Sequence, residues 1–341
     1  MMEKKKHNYQ EYWINVLNFM AQGLFSSLII GLILKQVGEK LGIPMLVGFG
    51  NIAQLMMGPA IGAAVAYGVK GPVLAIFSSL VTGALGAQTI LLTAAGTHAI
   101  KTGEPVGALC AALAGAEIGK LVNGRTKLNI IVVPAATIIA GGITSIFVSP
   151  LMSSLMTALG QMVNYATELQ PVLMGTLVST IMGMVLTLPI SSAALAISLK
   201  LDGLAAGAAT VGCCAQMVGF AVASYRENKL GGLVAQGLGT SMLQIPNIIK
   251  NPLIWVPPTI ASAVLGPIAS GIFEMKNNAV GAGMGTSGLV GQFATIETMG
   301  MSSLPMNFAL HFAAPAVITL IVSEFMRKKG WIKFGDMKLE V

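Results

Sequence analysis

The segment whose residue types suggest the most chemistry is 281–300, GAGMGTSGLVGQFATIETMG. Gly283, Gly285 and Gly288 give the G-x-G-x-x-G spacing that lays a dinucleotide pyrophosphate on a helix N-terminus in a Rossmann fold. That use requires a preceding strand, a following helix and an acidic residue about 20 positions further on. No strand–helix–strand unit can be drawn here, and the nearest acid, Glu297, follows Gly288 by only nine residues. The sequence therefore argues against a nucleotide loop.

Two other interpretations of these glycines stay open. Small residues let transmembrane helices pack closely. Alternatively, glycines at membrane depth mark a broken helix beside a substrate path, because non-helical backbone is tolerated there only inside protein or next to a water-filled cavity. A short internal similarity favours the broken helix. The stretches that begin at Pro59 and Pro258 share residue types, and each is followed by a Gly-x-x-Gly stretch ending in glutamine, at Gln88 and Gln292.

Glu297 is the acidic residue with the strongest case for a site. An acid at the bilayer centre costs about 3 kcal/mol on insertion scales, and Glu297 has no basic residue within a helical turn. Its carboxylate would accept hydrogen bonds from sugar hydroxyls or serve a proton relay, with an interfacial acid as the alternative. Glu117, by contrast, precedes Lys120 by three residues on one helical side, which predicts a structural ion pair.

Neutral polar residues cluster around the candidate loops. Uncharged hydrogen-bonding groups suit a polyhydroxylated solute better than an ion, although Ser and Thr also bond their own helix backbone. His311 stands alone in the last apolar stretch and is either a structural histidine or part of the site. The predicted substrate-binding residues are Gln88, Gln244, Asn247, Asn251, Thr286, Ser287, Gln292, Glu297 and His311.

No catalytic residue, metal site or cofactor is predicted. Histidines and carboxylates do not cluster, and Cys110, Cys213 and Cys214 lie in apolar surroundings without C-x-x-C spacing. These cysteines are expected to be small buried residues. The net charge of +7 does not indicate nucleic-acid binding, because the basic residues lie at the chain ends and in short loops, as in membrane proteins.

The elements that must position these residues are membrane helices. The chain is 54% hydrophobic and 10% charged, against about 25% charged in soluble domains. Apolar windows of about 20 residues recur, each long enough to cross a hydrocarbon core of about 30 Å. The sequence predicts an all-α polytopic membrane protein that forms a single transmembrane domain over residues 1–341. Its spans are predicted at 13–34, 45–69, 71–95, 105–119, 128–150, 171–199, 251–273 and 303–326.

Three further stretches are less regular. Residues 151–166 have apolar side chains at helical spacing and a polar opposite face, which predicts an amphipathic helix at the membrane interface. Residues 203–222 and 278–300 are predicted to be re-entrant, because basic residues between 226 and 250 otherwise fall outside the cell. Eight crossings with two re-entrant segments are predicted, and ten crossings are the alternative.

Both chain ends are predicted to be cytoplasmic. Residues 1–12 carry three lysines and the tail 327–341 carries five basic residues, and short segments rich in Lys and Arg stay inside. Loop 120–127 then falls inside and residues 151–170 fall outside. The basic tail is either a docking segment for a partner or a snorkelling membrane anchor.

Two segments carry a resemblance to a known family. "QGLGTSMLQIPNIIKNPLIWVPP" and "GMGTSGLVGQFATIE" are similar to the membrane-embedded IIC subunits of the bacterial sugar phosphotransferase system, in particular the branch that includes the perfringolysin regulator. "NPLIWVP" resembles the Asn-Pro element after a re-entrant hairpin in these proteins. "TIE", ending at Glu297, resembles their Gly-x-Thr-Glu motif with Ile296 inserted. The resemblance covers nearly the whole chain and implies that Glu297 binds the sugar.

The resemblance also implies a function and partners. It implies a homodimer in the bacterial plasma membrane that admits a sugar by alternating access, with phosphorylation by separate IIB and IIA proteins supplied in trans. Phosphotransferase activity is expected only together with those partners. A membrane sensor that keeps the fold but regulates gene expression without transport is the alternative.

Overall fold

The computed structural model describes residues 2–92 and 98–339. It is helical apart from one short hairpin among those residues, which confirms the predicted all-α fold. Six of the described helices are long and apolar enough to cross a membrane, and a seventh candidate is a pair bent by 54°. Contacts divide the chain into two compact units, Met1–Leu155 and Met156–Val341.

The first unit is a set of helices in sequential contact. α1 continues through a π-helical turn, Phe25–Ile29, into α2, and α3 bends into α4 at Met56. Glycines allow the backbones of neighbouring helices to approach closely. Gly62 of α4 lies against Ser79 of α5, and Gly86 of α5 lies against Gly107 of α6. The elements are α1 Met2–Leu24, α2 Ile30–Leu41, α3 Pro44–Leu55, α4 Met57–Gly68, α5 Val73–Ala87, β1 Ile90–Leu92, β2 His98–Ile100 and α6 Pro105–Val122.

The predicted span 71–95 is wrong after Ala87. α5 ends at Ala87 because Gln88 adopts a left-handed backbone (φ 55°). The amide of Thr89 then bonds the carbonyl of Ala84 at 3.0 Å, which satisfies one of the helix's last free carbonyls. β1 and β2 follow as an antiparallel pair, and residues 93–95 of the predicted span lie outside the described residues.

The predicted ion pair of Glu117 with Lys120 is confirmed at 3.0 Å. Tyr12 donates to the same carboxylate at 2.8 Å, and Lys120 donates to the carbonyl of Val69 at 2.8 Å. The pair thus connects α1, α4 and α6. It lies where the side chains are about one-third exposed, so its effect on stability is small.

One helix, α7 Asn129–Thr167, leads from the first unit into the second. Its 39 residues correspond to about 58 Å, longer than the roughly 30 Å hydrocarbon core. The predicted helix 151–166 is therefore the second half of α7 rather than a separate element, since Pro150 is accommodated without a break. Its interfacial location stays a prediction.

The second unit is built on four long helices, with short helical pieces between them. Its elements are α8 Pro171–Thr187, α9 Ser192–Ser198, α10 Gly203–Ala223, α11 Tyr225–Val234, a π-helix Ala235–Gly239, a 3₁₀ turn Ser241–Gln244, α12 Ile245–Lys250, a 3₁₀ turn Pro252–Trp255, α13 Val256–Gly271, α14 Ala279–Ala282, a 3₁₀ turn Ser287–Leu289, α15 Val290–Met299, a 3₁₀ turn Met301–Ser303, α16 Leu304–Phe308, a π-helix Ala309–Ala313 and α17 Ala314–Lys328.

Hydrogen bonds fix the relative directions of α8 and α13. Near the start of α8, Ser270 Oγ from the end of α13 donates to the carbonyl of Pro171 at 2.6 Å. At the other end, Thr187 and Trp255 both donate to Gln216 Oε1, at 3.2 and 3.0 Å. α8 and α13 are therefore antiparallel.

α10 and α17 run in the same direction as α8. α10 begins beside the segment after α13, because Gly203 pairs with Asn277, and its later half reaches Thr187 through Gln216. Further along, Gly219 packs against Thr319, and Arg327 donates to the carbonyl of Ala223 at 3.0 Å. Later residues of α10 therefore contact later residues of α17, so the two helices are parallel.

Two span predictions in this unit need correction. Residues 203–222 are one unbroken helix and not a re-entrant segment, because their glycines and alanines allow close packing against α8 and α13. Residues 171–199 are not one helix, since Pro189 biases Leu188 to an extended backbone (ψ 156°) and ends α8 at Thr187. α8 and α10 are parallel, so residues 188–202 return along the length of α8.

Candidate functional site

Residues 276–299 form a hairpin whose two ends meet at the start of α10. The amide of Lys276 contacts Met299 Sδ at 3.1 Å. Asn277 Nδ2 donates to Thr210 Oγ1 of α10 at 2.7 Å and to Thr295 Oγ1 at 3.0 Å, so it holds both arms. The two ends of the predicted re-entrant segment 278–300 thus lie together, and the segment is here called the 276–299 hairpin. Its entry into the membrane stays a prediction.

The tip of the 276–299 hairpin is non-helical. Gly285 and Gly288 have φ of 54°, and Leu289 has φ of 61°, a conformation that is uncommon for a side chain larger than Asn. Gly285 lies against the backbone of Cys213 and Cys214, where a β-carbon would meet main-chain atoms. These residues are ten or more positions into α10, so the tip reaches about 15 Å along it. The glycines therefore serve both a backbone break and close packing.

A second segment approaches from the opposite end of α10. Residues 225–250 follow the end of α10, and Ser241 Oγ lies 2.8 Å from Thr187 Oγ1 at the end of α8. Its π-helix, Ala235–Gly239, contacts the hairpin tip at Ser287–Leu289. Two interrupted segments thus meet inside the unit, an arrangement that lines substrate sites in membrane transporters.

Beside the tip lies a cluster of three buried polar side chains, Gln292, Asn307 and His311, called here the Gln292 cluster. Gln292 lies in the first turn of α15, where its Nε2 is 3.0 Å from His311 Nδ1 and 3.4 Å from Cys214 Sγ. Asn307 Nδ2 donates to the Gln292 carbonyl at 3.4 Å. His311 lies in the π-helix Ala309–Ala313, a distortion that often occurs at functional sites.

Several polar atoms in and near the Gln292 cluster have no hydrogen-bond partner. They are Gln292 Oε1, Asn307 Oδ1, His311 Nε2 and, at the hairpin tip, Ser287 Oγ. These four residues are 0 to 7% exposed. A buried polar atom without a partner costs about 1–3 kcal/mol, and folded proteins pair nearly all of them. Their concentration at one place points to a polar ligand.

The unpaired atoms offer both donors and acceptors. With the Gln292 amide nitrogen donating to Nδ1, the imidazole carries its proton on Nε2, which is then a donor. The amide oxygens of Gln292 and Asn307 are acceptors, and the Ser287 hydroxyl is either. A hydroxyl group donates and accepts at once, so this mixture complements a polyhydroxylated solute better than an ion.

Three other predicted site residues lie outside the Gln292 cluster. Thr286 is buried, and its hydroxyl contacts Met217 Sδ at 3.5 Å. Glu297 is exposed and accepts from Asn278 Nδ2 at 3.4 Å. Five positions separate it from Gln292, so it lies about 140° further around α15. Gln88 is half-buried at the end of α5 in the first unit.

Gln244, Asn247 and Asn251 bind the C-terminal tail instead of pointing to the hairpin tip. Gln244 Nε2 donates to the carbonyl of Met337 at 3.0 Å, and Asn247 Nδ2 donates to the carbonyl of Lys338 at 2.9 Å. Asn251 Nδ2 donates to the carbonyl of Trp331 at 3.1 Å and to a carboxylate oxygen of Asp336 at 2.8 Å. These three predicted sugar ligands are therefore engaged by tail residues in this conformation.

Sequence inspection missed Asn307 and Gln216. Asn307 lies four residues before His311, and that spacing in an apolar span was a detectable signal. Gln216 stands in the apolar run of α10 and contacts Thr187, Trp255 and Thr259 within 3.2 Å. An amide in that apolar run was visible in the sequence, but its partners on α8, α13 and the turn before α13 were not.

A family model described as "Phosphotransferase system, EIIC" matches residues 14–339. No curated protein and no solved structure matches the chain. The matched range includes the 276–299 hairpin, the Gln292 cluster and the tail residues that contact Gln244 and Asn247.

Proposed function

Because this chain belongs to the EIIC family of the phosphotransferase system, we propose that it binds a sugar at the Gln292 cluster and carries it across the membrane. The family and the apolar helices identify a multi-span membrane protein and a permease component of that system. Beyond this, we propose where the sugar binds and that it crosses by alternating access. We also propose that a separate IIB protein, which receives its phosphoryl group from IIA, phosphorylates the delivered sugar. A homodimer in the bacterial plasma membrane is also part of the proposal.

The observation that carries the proposal is the group of unpaired buried atoms at Ser287, Gln292, Asn307 and His311. A sugar hydroxyl would accept from His311 Nε2 and donate to an amide oxygen. Each bond would replace one that the sugar made to water, so affinity would come from satisfying protein atoms that are otherwise costly to bury. Neutral partners would select an uncharged sugar.

Glu297 enters the proposal as a secondary ligand. Its carboxylate is exposed in this conformation and lies on another face of α15 than Gln292. It would meet the sugar only when α15 moves, as alternating access requires. Thr286, buried at the hairpin tip, is a supporting candidate, whereas Gln244, Asn247 and Asn251 would first have to release the tail. Gln88 belongs to the first unit and stays a prediction from the sequence alone.

The test uses purified protein in liposomes with a panel of radiolabelled neutral sugars, with and without the cognate IIB and phosphorylated IIA proteins. Saturable uptake of one sugar, with sugar phosphate formed only when IIB is present, is the expected result. If no sugar in a broad panel binds or moves under either condition, the permease proposal is overturned.

A second candidate is a sensor derived from the same family, in the branch of the perfringolysin regulator. The favouring observation is the hydrogen bonding of the tail to residues 225–250, which themselves contact the hairpin tip. A sugar-induced movement at the tip would then reach a segment outside the membrane. Sugar binding without uptake and without IIB-dependent phosphorylation would favour the sensor.

A further inference from the structure

The tail after α17 is bound through its main chain. Met337 O accepts from Asn228 Nδ2 at 2.8 Å and from Gln244 Nε2 at 3.0 Å. Lys338 O accepts from Asn247, and the amide of Leu339 donates to Asn228 Oδ1 at 2.8 Å. Side-chain amides here form the bonds that a neighbouring strand would form with an extended peptide.

Two tail side chains are buried while their neighbours are not. Met337 is 0% and Ile332 is 2% exposed, whereas Phe334 is 77% exposed. Met337 and Ile332 therefore supply apolar anchoring, and the amides supply contacts that do not depend on the tail's side chains. This division is characteristic of peptide recognition by proteins.

A buried ion pair fixes the root of the tail. Arg327 Nη2 lies 2.9 Å from Glu227 Oε1, with side-chain exposures of 9% and 0%. The amide of Gly335 approaches the same carboxylate oxygen at 3.4 Å. Asp336 accepts from the amide of Lys333 and from Asn251, both at 2.8 Å. The tail is thus held along its length from residue 327 to residue 339.

Further hydrogen bonds link the tail-binding residue Gln244 to the π-helix Ala235–Gly239. Gln244 Nε2 also donates to Gln236 Oε1 at 2.8 Å, and Gln236 Nε2 donates to Ser224 Oγ at 2.8 Å. Gln236 belongs to the π-helix that contacts the hairpin tip. The conformation of residues 225–250 is therefore tied to tail binding.

We propose that Asn228, Gln244, Asn247 and Asn251 form a peptide-binding groove whose ligand is residues 331–339 of the same chain, a detachable latch that fixes residues 225–250. The latch binds whether or not a sugar is transported. When it leaves, four amide side chains lose the bonds that they make to the tail, and residues 225–250 loosen. Met337 is its principal side-chain anchor.

The first test is limited trypsin digestion of the detergent-solubilised full-length protein, followed by mass spectrometry. Lys333 and Lys338 have exposed side chains, but protease cleavage also needs their main chain free, so the latch protects them. Met337→Ser should raise the cleavage rate at both lysines about tenfold, relative to cleavage in the exposed loop 124–127. Phe334→Ser, in the same tail, is the matched control and should leave the rate unchanged.

The second test uses a protein that ends at Gly330 and a synthetic peptide of residues 331–341. Hydrogen exchange in residues 225–250 should increase in the shortened protein, return towards the full-length value when the peptide is added, and stay raised with a Met337→Ser peptide. Residues 129–150 provide the internal reference.

Three results would overturn the latch. They are wild-type cleavage at Lys333 and Lys338 as fast as in loop 124–127, equal effects of Met337→Ser and Phe334→Ser, and no effect of the peptide on exchange. Should the shortened protein fail to fold, the pair of full-length variants decides alone. None of these measurements uses a sugar or IIB, so their outcome is independent of the permease proposal.

Discussion

Gln292 is the residue whose replacement should best separate sugar binding from folding. Gln292→Met keeps the length of the side chain and removes both the contact to His311 and the unpaired oxygen. Loss of the unpaired oxygen offsets the cost of leaving His311 Nδ1 without its partner, so we expect only a small net change in thermal stability. We expect at least a tenfold loss of sugar affinity, about 1.4 kcal/mol. Isothermal titration with the transported sugar measures the loss.

Glu297→Gln is the matched comparison on the same helix. The acid is exposed and has one long hydrogen bond, to Asn278, so we expect less than a threefold change in sugar affinity. A larger loss from Glu297→Gln than from Gln292→Met would make Glu297 the principal ligand and would move the site to the outer face of α15.

Gln216 has the opposite character, since all its contacts are to the protein. Gln216→Leu would remove the acceptor of the half-buried Trp255 Nε1, whereas Thr187 Oγ1 keeps Ser241 Oγ at 2.8 Å. Because one group loses its partner, and such a loss costs about 1–3 kcal/mol for a buried group, we expect a loss of about 1 kcal/mol in stability. Thermal unfolding in detergent measures it, and Gln161→Leu on the exposed face of α7 is the control. Equal unfolding temperatures for the two variants would contradict this assignment.

At the scale of elements, the hairpin tip depends on glycine at one position. Gly285 has φ of 54°, and an added β-carbon would meet the backbone of Cys213 and Cys214. Gly285→Ala should therefore move the tip and lower both stability and sugar affinity, with at least about 1 kcal/mol from the backbone conformation alone. Gly142→Ala in α7, where the nearest atom is 3.7 Å away, should be neutral or stabilising. The same sugar titration and unfolding measurements compare them, and equal effects would contradict a packed tip.

The sequence allowed some element boundaries to be predicted and concealed others. Pro189 signals the end of α8 by a local rule that needs no tertiary information, although the predicted span 171–199 ran past it. Gln88 ends α5 in a left-handed conformation that a glutamine seldom adopts, so no residue type signals it. Residues 203–222 were predicted to be re-entrant because basic residues between 226 and 250 otherwise fell outside, but the return of residues 188–202 along α8, which the sequence did not reveal, removes that conflict.

Site residues show the same division between local and tertiary information. Gln292 and Ser287 were predicted because polar groups beside a glycine break stand out in an apolar chain, and His311 because it is the one histidine of the last apolar stretch. Gln244 and Asn247 stood out for the same reason, yet they bind the tail nearly a hundred residues later. Composition identifies which side chains need a polar partner, and only the three-dimensional structure identifies the partner.

At the scale of the whole molecule, helix directions in the second unit constrain its topology. Residues 225–250 and the tail contact one another, so their basic residues share one end: Arg226, Lys229, Lys250, Arg327, Lys328, Lys329, Lys333 and Lys338. The opposite end, near the starts of α8 and α10, carries Lys200 and Lys276. From the positive-inside rule we predict that the end with the tail is cytoplasmic. Because residues 188–202 return along α8, α10 runs in the same direction as α8 and ends beside the tail. The basic residues then share one side without the re-entrant 203–222 segment that the sequence had suggested.

This topology predicts opposite accessibility for residues on either side of α8. Glu168 precedes the start of α8, and Lys333 lies in the tail at the far end, so single cysteines at the two positions should be labelled from opposite sides. In a Cys110→Ser background, a membrane-impermeant maleimide should label Glu168→Cys in intact cells and Lys333→Cys only in inverted vesicles. Cys213 and Cys214 are fully buried and should contribute no background. Lys229→Cys should follow Lys333→Cys, because Asn228 bonds the tail. Labelling of Lys229→Cys and Glu168→Cys from the same side would mean that α8 and α10 are not both full crossings in one direction.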